Sequence, residues 1–223
     1  MSFLAANIEQ VENVFALLVL ALCTVLVFAK REWPSREIRL FARGFFGIAL
    51  LADFYWSLFT LVFGFTPPNF YVAELGWLAQ ELFLLLLIVD IYRRERGGKI
   101  YPVAWVGPVI IAVLTVWFIV ETGSPVINAL MGTAMSAISL VAISALVDSV
   151  RNRSGDAAPR RALYAAALVF VAIEHVIWVC SVLDPSVTIS NPYYWFSPIL
   201  SLSLIVLAVC CRHLGGRLEG DER

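Results

Sequence analysis

All 16 lysines and arginines of this 223-residue chain fall into four clusters separated by long apolar runs. Lys30, Arg31, Arg36, Arg39 and Arg43 form the first cluster, and Arg93, Arg94, Arg96 and Lys99 the second. Arg151, Arg153, Arg160 and Arg161 follow, then Arg212, Arg217 and Arg223. Seven runs, roughly 11–30, 44–64, 71–92, 102–120, 126–147, 162–183 and 193–211, are each long enough to cross ~30 Å of hydrocarbon as a helix. Threaded through seven spans, every basic cluster lands on one side of the membrane. The other side carries Glu9, Glu12, Glu74, Glu121 and Asp184 and no base. One span more or fewer would mix the two sides. The expected fold is therefore an all-α membrane protein, one seven-helix transmembrane domain over residues 1–223. The positive-inside rule puts its N-terminus outside and its C-terminus in the cytoplasm of a cell-membrane, multi-pass protein.

Composition agrees with this class. The chain is 61% hydrophobic and 15% charged, whereas a soluble domain carries about 25% charged residues. No ~10-residue alternation of the transmembrane-barrel kind is visible. The lipid bilayer is the expected surrounding and nucleic acid is not an expected partner. A homo-oligomer or a cytoplasmic signalling partner stays open. The segment before the first span is acidic and no small-residue cleavage site follows it, so that span is expected to stay as a helix rather than leave as a signal peptide. Cys23, Cys180, Cys210 and Cys211 all sit in spans without CxxC spacing, which points to neither disulfides nor zinc. Cys210 and Cys211 are near enough to the cytoplasmic face for acylation, but small apolar packing is the favoured reading.

The connections are short. Pro67-Pro68, Gly123-Ser124-Pro125 and the stretch from Pro185 to Pro192 punctuate the outer turns, and the longest cytoplasmic connection is polar, from Arg151 to Arg161. Gly132, Ser136 and Ser139 would let a neighbouring helix come close to the fifth span. Weak self-similarity is also present. A shift of 118 residues aligns Pro67 with Pro185, Trp77 with Trp195, Arg94 with Arg212, and Gly97-Gly98 with Gly215-Gly216; a shift of 122 aligns Arg39 with Arg161 and Trp56 with Trp178. The matches suggest a parallel repeat of spans one to three in spans five to seven, with span four as linker.

Three acids sit where a membrane protein rarely places them. Asp53 and Glu81 each lie about 15 Å from a membrane edge, and Glu174, beside His175, lies at similar depth in the sixth span. A charge at that depth costs ~2.5–3.5 kcal/mol on insertion scales, so each acid needs a partner, water or a proton. On the second span Asp53 shares a face with Ser57, and Trp56 follows almost one turn on. On the third, Glu74, Trp77 and Glu81 share a face flanked by Gln80. On the sixth, Trp178 stands within reach of both Glu174 and His175. The expected site is a midplane pocket of Asp53, Tyr55, Trp56, Trp77, Gln80, Glu81, Glu174, His175, Trp178 and Trp195. Spans two, three, six and seven should surround it, with span four peripheral. Asp53 and His175 should pair, directly or through one water. Three acids and one imidazole cannot neutralise each other, so one carboxyl group is expected to hold a proton.

Several functions are excluded by residue type. No lysine lies mid-span to form a retinal Schiff base, and only one histidine lies inside a span, so bis-histidine haem ligation fails. Asp53, Glu81, Glu174 and His175 are metal-ligating types but follow no ligand spacing, so no metal is expected. No phosphate-binding glycine loop, nucleophile elbow or HExxH is present, and no cofactor is expected.

Two resemblances start from these residues. Asp53-Phe-Tyr-Trp56 through Pro67, then Ala73-Glu-Leu-Gly-Trp77 and a leucine-rich tail, resembles the paired helices of bacterial seven-helix membrane sensory regions. Asp53, Trp56 and Ser57, standing where NxxWE would be, also resemble fungal integral-membrane meroterpenoid cyclases, as does Ser197-Pro198 in the last span. Here Ser57 replaces the glutamate of that motif, and 193–211 has no acid to match the one in their last span. The first resemblance implies sensing. The second implies a membrane-embedded cyclase or isomerase, with Asp53, Glu81 or Glu174 as general acid. The residues themselves favour a small-molecule ligand bound at the midplane for transport or sensing, with the enzyme, or an accessory subunit without a ligand, as alternatives.

Overall fold

The computed structural model describes residues 7–63, 72–96, 98–151, 158–184 and 186–215. The Pro67-Pro68 turn, most of the Arg151–Arg161 connection, Pro185, and the Gly97 and Gly216 positions of the repeat lie outside the described residues. Seven helices run in order: α1 Ile8–Phe28, α2 Arg36–Phe63, α3 Val72–Arg96, α4 Val106–Thr122, α5 Pro125–Arg151, α6 Ala158–Leu183 and α7 Tyr193–His213. A 3₁₀ turn, Pro102–Trp105, leads into α4. Each long helix is apolar enough to cross a membrane, so the chain is an integral, multi-pass membrane protein. The runs at 126–147, 162–183 and 193–211 fall wholly inside helices, whereas 11–30 outruns α1 by two residues and 102–120 begins in the 3₁₀ turn before α4. α2 starts well before its run because Ser35 Oγ accepts the Ile38 N–H at 3.1 Å and caps the first turn.

Helix neighbours follow a closed ring: α1 packs on α2, α2 on α3, α3 on α5, α5 on α6, α6 on α7, and α7 back on α1. α4 stands outside the ring against α5, and its middle presents Val109, Ile110, Val113 and Val116 outward. It is peripheral to the ring, but not wholly so to the polar interior: against expectation, Phe118 and Thr122 near its end reach the cavity described below. In a bilayer such contacts rest on close van der Waals approach, which small residues permit. A Cβ at Gly132 would overlap the Thr115 side chain of α4, and Ser139 meets α4 at Gly107.

At the end carrying the basic clusters the ring is filled and sealed. Phe45 and Phe46 meet edge-on at 4.8 Å, and Phe45 meets Phe170 at 5.8 Å. Leu84, Leu87, Ile88, Ile91 and Ile138 fill the space around them, all fully buried. Lys30 Nζ donates to the carbonyls of Cys211 and Arg212 at 3.0 Å each, and to that of Leu214. It thereby satisfies groups that the end of α7 leaves without a partner. Tyr101 Oη donates to Asp148 at 2.6 Å, and Arg94 bonds both Asp90 and Glu37. Charges at this end are held at the rim.

Candidate functional site

Toward the other end, beyond Phe170, the ring stops filling its own interior. A cavity of about 360 Å³ opens there, with Leu20, Phe170 and Leu204 among its deepest walls and Thr122 and Ser124 at its outer end. Phe170 is 13 residues from the end of α6, so the cavity reaches about 20 Å into the bundle.

Its centre is built by α2 and α3. A Cβ at Gly76 would come within 2.6 Å of the Ala52 Cβ, so the two helices approach to backbone distance there. That approach sets Asp53 beside Trp77, whose Nε1 donates to the carboxylate at 2.8 Å. Trp56, almost one turn beyond Asp53, meets Trp77 at 5.7 Å between ring centres. Across the cavity α6 brings Glu174 and Trp178, and Phe118 of α4 packs edge-on against Trp178 at 5.7 Å. Glu174 is buried, and its Oε2 has no hydrogen-bond partner among the described residues. Glu81 lies behind this wall, fully buried, with both carboxylate oxygens without a donor among the described residues. Glu174 is within electrostatic range of Glu81 and of Asp53.

Of the expected pocket residues, Asp53, Trp56, Trp77, Gln80, Glu174 and Trp178 line this cavity. Tyr55, Glu81, His175 and Trp195 do not. Tyr55 sits beside Phe59 at 6.0 Å on its own helix. His175 does not pair with Asp53; its Nδ1 lies 3.1 Å from the Val171 carbonyl, one turn back on α6. Adjacent residues on a helix point about 100° apart, so a helix that turns Glu174 to the cavity turns His175 aside. Trp195 is 62% exposed and donates to the Ile189 carbonyl at 2.9 Å. The cavity face of α7 runs through Tyr193, Ser197, Leu200, Ser201 and Leu204, and position 195 falls opposite it.

The wall also includes helices and residues that were not expected. α1 contributes Glu12 and Asn13, α5 contributes Asn128, and Glu74 of α3 completes the acids. Glu12 is close enough to the rim to read as an ordinary outer acid, yet Ser197 Oγ of α7 donates to it. Only the ring closure between α7 and α1 reveals this contact. Four carboxyl groups (Glu12, Asp53, Glu74 and Glu174) face the cavity, and among the described residues no lysine, arginine or histidine does. Carboxyl groups that are ionised in such a chamber would favour a cation over an anion, and neighbouring indole faces act in the same direction. Among the described residues no three acidic, histidine or cysteine side chains converge as metal ligands.

No protein-family model matches the chain, and no curated protein or solved structure does either. The two sequence resemblances therefore rest on their residues alone.

Proposed function

We propose that this membrane protein binds a small, positively charged organic molecule in the acidic cavity, in the service of transport or sensing. The observation that carries the reading is the Asp53–Trp77 hydrogen bond in a cavity whose wall holds four carboxyl groups and, among the described residues, no base. A cation there would stand near Asp53 and Glu174 and against the indoles of Trp56, Trp77 and Trp178, and each such ring contact contributes about 1 kcal/mol. By the charge asymmetry of its connections the cavity opens outward. A cysteine placed at Glu121 should react with an impermeant reagent on intact cells and one at Lys99 should not; labelling at 99 alone would reverse that assignment, and labelling at both would overturn the span between them.

The 3+1+3 repeat gains support from Trp56 and Trp178, which the 122-residue shift relates and which stand on opposite walls of the cavity. Trp77 and Trp195 do not match in this way. The direct test uses tetramethylammonium on the protein in lipid nanodiscs, read by tryptophan fluorescence. Binding should be saturable and weakened at least tenfold in Asp53→Asn. No saturable change in the wild type would reject the cation reading.

A further inference from the structure

A second cavity, of about 230 Å³, lies between α1 and α2. Most of its wall area is apolar, from Val14, Leu17, Phe54, Leu58 and Leu61, while Glu9, Gln10 and Thr60 add polar groups; Val14, Phe54, Leu58 and Leu61 are exposed on the apolar face of the two spans. From Phe54 to Leu61 it follows α2 for about 10 Å. Asn13 and Ser57 line both this groove and the acidic cavity, so the two meet at a pair of small polar side chains. On one side of that pair stands the acidic chamber, in which Glu174 keeps a buried oxygen without a donor among the described residues. On the other side lies a largely apolar slot, with Glu9 and Gln10 in its α1 wall, open on the exposed face of α1 and α2.

We infer that the ligand is a single-chain cationic amphiphile, which enters sideways from the bilayer between α1 and α2, its charged head passing Asn13 and Ser57 into the acidic cavity while its alkyl chain stays in the groove of Val14, Phe54, Leu58 and Leu61. The inference rests on the cation reading of the cavity. It follows from charge complementarity on one side of the Asn13–Ser57 pair and apolar complementarity on the other. A wholly polar cation would have no use for the groove, and a neutral lipid would have no use for four acids. A head that leaves the bilayer interior for a site with carboxylates gains electrostatically, whereas the chain exchanges one apolar surface for another. Head recognition should therefore govern affinity, and the chain should govern the route.

The test is photo-crosslinking in nanodiscs with dodecyltrimethylammonium carrying a diazirine at mid-chain, followed by peptide mass spectrometry. Label should concentrate on 14–17 of α1 and 54–61 of α2. An excess of unlabelled dodecyltrimethylammonium, and the Asp53→Asn substitution, should each reduce it at least tenfold. Glu12→Gln makes the same comparison should the first variant fail to fold. Competable label confined to the inner walls, at Leu20, Phe170 or Leu204, overturns the lateral route and leaves the cation reading standing. Label spread over the lipid face regardless of competitor or Asp53, or no label at all, overturns the inference. Tetramethylammonium binding, measured separately, then decides whether the cation reading falls with it.

Discussion

The two ends of the bundle use the same helices in opposite ways. At the basic end the interior is filled by side chains, and Phe45, Phe46 and Phe170 interlock. The charged groups there stay at the rim, where Lys30 and Arg43 donate to backbone carbonyls. At the acidic end the interior holds Asp53, Glu81 and Glu174, and a cavity takes the place of a core. A rim charge finds carbonyls, headgroups and water at little cost. A charge 15 Å inside has only what the helices bring, and here they bring one indole N–H to Asp53 and none to Glu81. Stability should therefore reside mainly in the basic half, and the polar residues of the acidic half should serve a ligand.

Aromatic truncations break this comparison most directly. Phe45→Ala removes a fully buried ring from both of its aromatic contacts and should cost about 3–5 kcal/mol. Trp178→Ala loses its edge-on contact with Phe118 but otherwise enlarges a space that is already open, and should cost about 1–2 kcal/mol. Reversible unfolding of both variants in mixed micelles gives the ratio. Equal losses would mean that the two halves carry stability alike.

Next in size is the rim. Lys30→Met removes the donor to three carbonyls at the end of α7 and should cost about 2 kcal/mol, because charge-assisted bonds at a helix C-terminus exceed neutral ones. The melting temperature should fall, whereas tetramethylammonium binding at the far end should hold. A parallel fall in binding would show that the halves are coupled.

Much of this division was legible in the residues. The seven helices follow from apolar runs whose ends are marked by segregated charge, a pattern that a slipped span would destroy. The close pass of α4 against α5 follows from Gly132 and Ser139. Asp53, Trp56 and Trp77 come together because helical spacing sets each on one face, and consecutive antiparallel helices must pack. The helical rotation of α6 and α7 was not legible, because nothing local says which of two neighbours, Glu174 or His175, turns inward. Trp195 failed for the same reason, since membrane-edge tryptophans look alike from inside or outside. Glu12 was missed because its partner, Ser197, is 185 residues away across the ring closure.

Glu81 sharpens the comparison from inside the hollow half. It is fully buried, off the cavity wall, with neither oxygen bonded among the described residues. If it is only a desolvated acid, Glu81→Leu should raise stability by about 1 kcal/mol, since apolar replacements of buried charges are often neutral or stabilising. Tetramethylammonium affinity should change less than threefold, because Glu81 is buried off the cavity wall. A loss of stability, or a tenfold loss of binding, would make Glu81 a member of the site.

The smallest effect belongs to the connection between α6 and α7, above the cavity and outside the spans. The carboxylate of Asp184 accepts from the Ser186 side chain and from its backbone N–H, the latter at 3.0 Å, and these bonds hold its pKa below the ordinary 3.8. Its own carbonyl accepts from Asn191 Nδ2 at 2.7 Å, and Asn191 Oδ1 accepts the N–H of Tyr193 at the start of α7. A depressed carboxylate pKa favours the ordered connection most at pH above the value in the unfolded chain. That contribution fades as pH falls through the lower folded value. Trp195, bonded to the Ile189 carbonyl in the same connection, can report the change through the fluorine resonance of a labelled indole. The resonance should shift with a midpoint below 3.8 in the wild type and stay flat in Asp184→Asn, with cation binding at neutral pH unchanged in both. A wild-type midpoint above 3.8 would mean that the ionised group is not held by Ser186, and that the connection is ordered by Asn191 alone.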